Sequence, residues 1–299
     1  MALSPESDFL RALYQDWSDR MEADPNMSIP MARSLFDEWQ KPTLEPEDVT
    51  YKSATIAGVG VLWAYPVGAN INKVLLFTHG GGFVVGSSSS HRKMAAHIAK
   101  ALGVTTVILD FRLAPEHPFP AQIEDSTAVY KELLKRGYAP ENISTIGDSA
   151  GGNLAVSAVL KLREENVPLP GSVISISPWT DMERKGKTFA INAANDALRV
   201  SAILDAMTHL FLGEKGSPVN PLANLLYADF KGFPRLYVNA GSFECLLDDA
   251  VRLHERALAA GVDSTLSVVE GMQHVFPILA GRAPEADEEI QRIAHWYKS

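Results

Sequence analysis

Apolar and polar positions along the chain change period twice. Near the start, Phe9, Leu10, Leu13, Tyr14, Trp17 and Met21 recur at helical spacing, predicting one amphipathic helix. A second, shorter helix is expected from Pro30, with Leu35, Phe36 and Trp39 on one face. Lys41-Pro-Thr-Leu-Glu-Pro46 then closes a segment of residues 1–45 as a proline-punctuated linker. From Val49 the pattern is that of strands. Val49 to Tyr65, broken at Gly58 and Gly60, reads as a hairpin or two edge strands.

Strand and helix signals then alternate. Lys73 to Thr78 is a continuous apolar run, expected of a strand buried on both faces. A helix over Arg92 to Leu102 ends at Gly103, and Val104 to Leu109 is a second buried strand. Ala121 to Arg136 predicts a helix closed by Gly137. Strand Ile143 to Ile146 is followed by an apolar helix, with Leu154 to Leu162 at its centre, and then by strand Ser172 to Ser177. Residues 180–230 interrupt the rhythm with one helical face, Ala202 to Phe211, and the Pro/Asn-rich Ser217 to Pro221. Strand Arg235 to Asn239, helix Leu246 to Ala260, strand Ser264 to Val269 and a helix over Pro284 to Tyr297 resume it. This alternation predicts an α/β fold: a mostly parallel central sheet with helices on both faces. A catalytic domain over 46–299 would then carry two extras, the 1–45 segment and the 180–230 insertion. Both could fold as a helical cap over the carboxyl edge of the sheet, where ligands bind in such folds.

Composition narrows the classes of function. With 299 residues, 46% of them hydrophobic, the chain can bury one large core. A net charge of −9 without a basic cluster argues against nucleic acid or an anionic membrane as partner. Cys245 is the only cysteine, so neither an internal disulfide nor a cysteine metal cluster can form. The first residues are acidic where a secretory leader would be basic, and no run approaches the roughly 20 apolar residues of a membrane span. A cytoplasmic location is the expectation.

The chemistry gathers around Gly147-Asp-Ser-Ala-Gly-Gly152, placed between a strand and a helix. Gly147-x-Ser149-x-Gly151 has the form of a nucleophile elbow, a sharp turn that lifts a serine hydroxyl above the sheet; the bland alternative is a Gly-rich turn with Ser149 capping a helix. A serine hydroxyl needs a base, and the base an orienting acid, in the chain order serine, acid, histidine. Of eight histidines only His274 directly follows the last predicted strand. Glu244 stands at the end of strand 235–239 and is taken as the acid. Asp248, in the first turn of the next helix beside Asp249, is the reserve. His79-Gly80-Gly81-Gly82 follows strand 73–78. Its glycines would let backbone N–H groups approach a substrate oxygen, with Gly81, Gly82 and Ala150 as expected oxyanion donors. His79 is expected to order that loop by hydrogen bonding. No Walker lysine or dinucleotide fingerprint supports a phosphate site instead. Phe83, Trp179, Leu198, Met207 and Phe211 are candidates for an apolar substrate pocket.

Several of these segments together resemble the hormone-sensitive-lipase-like branch of the α/β-hydrolase esterases. The resemblance rests on His79-Gly-Gly-Gly-Phe83, Phe111-Arg-Leu-Ala-Pro-Glu-His-Pro-Phe-Pro-Ala121, Gly147-Asp-Ser-Ala-Gly-Gly152, Asn220-Pro-Leu-Ala, Tyr227 to Pro234 and Gly271-Met-Gln-His-Val-Phe276. It implies an α/β-hydrolase core with a helical cap, no metal or organic cofactor, and hydrolysis of a small-molecule carboxylic ester. It carries over Ser149, His274 and the oxyanion glycines. The family has Asp-Pro where this chain has Glu244-Cys245, and Tyr where it has Phe111. Short to medium acyl chains are expected, since no long apolar lid is evident. Lactone hydrolysis and amide or carbamate hydrolysis are the alternatives, and a non-catalytic small-molecule receptor, a role some relatives fill after losing the histidine, is a remote one. Strand 264–269 could be an edge that pairs across a homodimer.

Overall fold

Gly58, at φ +84°, reverses the chain between β1 (Val49–Ile56) and β2 (Val59–Pro66), so the Val49–Tyr65 stretch is an antiparallel hairpin. The structure is a computed structural model that describes residues 3–299; the first two residues of the 1–45 segment lie outside them. The strands that follow are β3 (Asn70–Thr78), β4 (Val104–Asp110), β5 (Ile143–Asp148), β6 (Ser172–Ile176), β7 (Arg235–Gly241) and β8 (Ser264–Val269). They form one eight-stranded sheet in the order β1-β2-β4-β3-β5-β6-β7-β8. The β1–β2 and β2–β4 pairings are antiparallel and the rest are parallel. The predicted α/β class and mostly parallel sheet hold. Central strands are buried along nearly their whole length, as expected where helices cover both faces. β8 pairs only with β7 and forms one edge.

Helices α3 (Ser88–Leu102), α4 (Ala121–Lys135), α5 (Ala150–Glu164) and α8 (Leu247–Ala259) connect the strands, and α9 (Pro284–Lys298) follows the last of them. The first starts four residues before the predicted Arg92, because Ser87 and Ser90 form a reciprocal capping box. The third predicted strand runs on to Asp148. Strand 172–177 instead stops at Ile176, since Ser177 turns to φ +44°.

The N-terminal segment holds α1 (Asp8–Ala23) and α2 (Ile29–Phe36). Leu10, Tyr14 and Trp17 are buried, but Phe9, expected on the same face, is 37% exposed. Trp39 lies not on α2 but in the 3₁₀ turn Asp37–Gln40 after it. It still joins Trp17 and Phe36 in an aromatic cluster with centroids 4.9–5.6 Å apart. The 180–230 insertion contributes α6 (Thr188–Ile191) and α7 (Val200–Leu212). The two stretches meet where Ser18 Oγ donates to the Ala197 carbonyl at 2.9 Å and Arg199 pairs with Asp19 and Glu22.

Candidate active site

The turn at Ser149 is built by sterics. β3 and β5 are neighbours with Thr78 opposite Gly147, so the loops leaving both strands start at one level. Ser149 joins β5 to α5 at φ +54°, ψ −120°, a strained conformation of the kind that clusters at functional sites. A Cβ on Gly147 would lie 2.3 Å from the Gly151 carbonyl oxygen, and one on Gly151 only 2.0 Å from that of Thr78. Neither position admits a side chain, so both glycines are required for close backbone approach.

His274 and Glu244 reach this serine from the other half of the sheet. After β8, the chain turns at Gly271 and brings His274 Nε2 to 3.0 Å from Ser149 Oγ. Its Nδ1 lies 2.5 Å from Glu244 Oε2. A carboxylate only accepts, so Nδ1–H donates to Glu244 and Nε2 is left to receive the serine proton. Glu244 is fully buried, and its Oε1 accepts from Ser177 Oγ at 2.9 Å and from the Gly241 N–H at 2.7 Å. Ser177 Oγ in turn accepts the Val275 N–H at 3.0 Å, tying the His274 loop to Glu244. Burial works against protonation of His274, but the Glu244 hydrogen bond and charge, with Asp196 and Asp148 beyond it, outweigh that and hold the imidazole above its ordinary value. Asp248 is not part of this chain of contacts; its carboxylate accepts the Lys187 N–H.

The loop after β3 is equally constrained. Gly81 and Gly82 take φ +113° and +60°, and a Cβ on Gly81 would fall 2.2 Å from the Val85 carbonyl oxygen. Gly80 N–H donates to Asp148 Oδ1 at 3.2 Å, linking the loop to the residue before Ser149. Among the described residues, the N–H groups of Gly81, Gly82 and Ala150 have no protein acceptor. His79 stacks on Phe111 with centroids 4.2 Å apart, and its Nδ1 sits 2.8 Å from the Gly80 carbonyl oxygen. Burial, reinforced by neighbouring His91, pushes His79 down to about 4, so it stands neutral at pH 7 as a loop-ordering donor.

A chamber of about 20 Å³ adjoins Ser149 and His274. Trp179, Leu198 and Met207 line it, as the sequence suggested, together with Phe36 and Trp39 from the N-terminal segment. Phe83 and Phe211 do not. They stack face to face at 3.9 Å outside that lining, both almost fully buried, because positive φ at Phe83 turns its ring onto α7. An apolar groove of about 760 Å³, between α1, α2 and α7, shares Phe36, Leu198, Ile203 and Met207 with the chamber. Sequence reasoning missed two polar supports. Ser177 carried only its place at a strand end as a signal. Tyr14, whose OH donates to the His274 carbonyl at 2.9 Å, looked like one more aromatic on a helix.

Among the described residues, no group of three or more His, Cys, Asp or Glu side chains could hold a metal ion, and no helix is long and apolar enough to cross a membrane. A family profile described as "alpha/beta hydrolase fold" matches residues 75–278. An acetyl-hydrolase of Streptomyces hygroscopicus is 34% identical over 96% of this chain and 94% of its own. An esterase of Acinetobacter venetianus is 32% identical over 77% and 76%. Among solved structures, an esterase from the bacterial hormone-sensitive lipase family superposes with a TM-score of 0.94 at 41% identity, covering 100% of this chain and 99% of that one. EstE5, soaked with p-nitrophenyl butyrate, gives 0.90 at 33% identity over 99% and 98%. The chain belongs to the α/β-hydrolase-fold family. Within that family it is a carboxylic-ester hydrolase of the hormone-sensitive-lipase-like branch.

Proposed function

We propose that the protein hydrolyses short- to medium-chain carboxylic esters with Ser149 as nucleophile, His274 as general base and Glu244 as the acid that orients it. The observation that carries this reading is the unbroken line Ser149 Oγ, His274 Nε2, His274 Nδ1, Glu244 Oε2, at 3.0 and 2.5 Å. His274 takes the hydroxyl proton as Oγ attacks the ester carbonyl. The tetrahedral oxyanion is received by the free N–H groups of Gly81, Gly82 and Ala150, and the imidazolium then protonates the departing alkoxide. Water, deprotonated by the same nitrogen, releases the acid from the acyl-serine. General-base catalysis contributes about 10²–10⁴ in rate and each oxyanion donor on the order of 10²–10³, enough together to drive ester cleavage.

The 1–45 segment and the 180–230 insertion act as the cap. The narrow chamber beside Ser149 favours a small acyl group, and the wider apolar groove takes the remainder of the ester. Ser149→Ala is expected to abolish p-nitrophenyl acetate hydrolysis with an unchanged circular dichroism spectrum; retained turnover would refute the assignment. A profile over p-nitrophenyl esters from acetate to laurate should peak at the short end.

A further inference from the structure

Asp196, 2% exposed in the insertion, takes no part in the steps above. Its two carboxylate oxygens hold different parts of the site. Oδ2 accepts the backbone N–H of Cys245 at 3.0 Å, and Oδ1 accepts that of Leu198 at 3.1 Å. Cys245 directly follows Glu244, while Leu198 lines the chamber. The same turn is held from the base side by Gln273, which directly precedes His274. Gln273 Oε1 accepts the Ala197 N–H and its Nε2 donates to the Asn195 carbonyl, both at 2.9 Å. Asn192 adds two donations, to the carbonyls of Ser242 and Glu244 at 2.9 and 2.8 Å. The residue after the acid and the residue before the base are therefore fastened to one stretch, 195–198, of the insertion.

We propose that Asp196 is a positioning residue for the Glu244–His274 pair, holding the acid's loop against the insertion and giving the imidazolium a second negative charge. This rests on the catalytic reading of Ser149 and His274. The titratable groups around His274 and Asp196 are Glu244, Asp148, the Tyr14 phenol and the Cys245 thiol. The nearest cation in sequence, Arg199, is turned outward into ion pairs with Glu22 and Asp19. The Asp196 charge thus acts on His274 in the same direction as that of Glu244, while burial acts in the opposite one. A tie that fixes the backbone beside both members of a proton-transfer pair matters because small misplacements in such a pair are costly.

The test compares wild type, Asp196→Asn and Asp196→Ala on p-nitrophenyl acetate, with kcat and KM measured from pH about 5 to about 9 and folding followed by thermal melting. Asp196→Ala should lower kcat about tenfold at the alkaline plateau while KM moves less than about twofold. Asp196→Asn, which keeps one of the two acceptors, should recover part of that loss. In both variants the acid limb of the profile should move to lower pH, because a charge favouring the imidazolium is gone. A limb that stays in place in both variants, or equal kcat losses in Asn and Ala, would overturn the proposal. Should Asp196→Ala fail to fold, the limb of Asp196→Asn decides alone. Turnover surviving in Ser149→Ala would overturn the nucleophile reading instead. An inactive Ser149→Ala alongside unchanged Asp196 variants overturns only the role of Asp196.

Discussion

The sulfur of Met207 lies against Gly82, so closely that a Cβ built on that glycine would fall 2.1 Å from Sδ. The methionine thus covers one of the proposed oxyanion donors and narrows the chamber beside Ser149. Gly82 sits at φ +60°, where a side chain costs roughly 1–2 kcal/mol even without a clash. Gly82→Ala keeps the N–H but sets a Cβ against Met207 at a strained φ, so the loop must shift. The kcat/KM for p-nitrophenyl acetate should fall by at least about tenfold, toward the roughly 10²–10³ that one oxyanion donor is worth, with a measurable drop in Tm. Unaltered kinetics would mean that the added Cβ leaves this N–H in place or that its position does not matter to the reaction.

Met207→Ala enlarges the same space from the other side. The ratio of kcat/KM for p-nitrophenyl octanoate to that for acetate should rise several-fold. A constant ratio would place the size limit elsewhere in the cap.

The pH profile follows from the environment of His274. On the proposed mechanism the reaction needs the neutral imidazole of His274, and Glu244 outweighs burial to hold its protonated form above its ordinary range. Activity of the wild type should therefore fall away on the acid side beginning above the usual imidazole value of about 6.5. In Glu244→Gln burial acts with far less opposition, so the limb should shift to lower pH while kcat drops. Glu244→Ala should lose far more activity than Asp248→Ala, whose carboxylate serves the Lys187 N–H instead.

Asp249 governs a different pH dependence. It is fully buried, its Oδ2 accepts the N–H groups of Thr180 and Asp181, and burial pushes it up to about 7. The folded state then binds a proton that the unfolded chain releases near 4, so stability declines as pH rises between about 4 and 7 and is level above. The span corresponds to a contribution on the order of 4 kcal/mol. Relative to wild type, Asp249→Asn should gain Tm as the pH is raised from 5 to 8. Parallel Tm curves for the two proteins would disprove this.

Tyr14→Phe removes the donor to the His274 carbonyl and the acceptor of Trp39 Nε1–H, which lies 3.1 Å from the phenol oxygen. Leaving two buried groups unpaired, at about 1–3 kcal/mol each, should cost roughly 2–6 kcal/mol in urea unfolding. A kcat reduced more than KM is raised would show that α1 helps hold the base.

How far the sequence leads depends on the range of the interaction involved. Every strand was legible, because the central parallel strands are short apolar runs set off by helical spacing and the β1–β2 hairpin is marked by its glycines. The convergence of Ser149, His274 and Glu244, with the glycine loop beside them, was legible because each follows a strand end in a fixed order. The sites it hides are those made by distant segments. Tyr14 meets His274 across 260 positions and Asp196 meets Cys245 across 49, with no local pattern marking either. Phe83 illustrates the opposite error. Its place in the glycine loop suggested a pocket wall, but positive φ sends the ring into the core against Phe211.

The sheet order divides the proposed machinery unequally. Ser149 and the oxyanion loop leave β5 and β3, which have neighbours on both sides, whereas His274 follows β8, held by a single partner. Backbone opening proceeds from such margins inward, so amide protons of β8 should exchange with solvent well before those of β3 and β5. Warming would then silence the base while the nucleophile's half of the molecule is still folded. On the proposed mechanism, activity should then be lost at a temperature below the one at which the core melts, set by the grip of one outer strand.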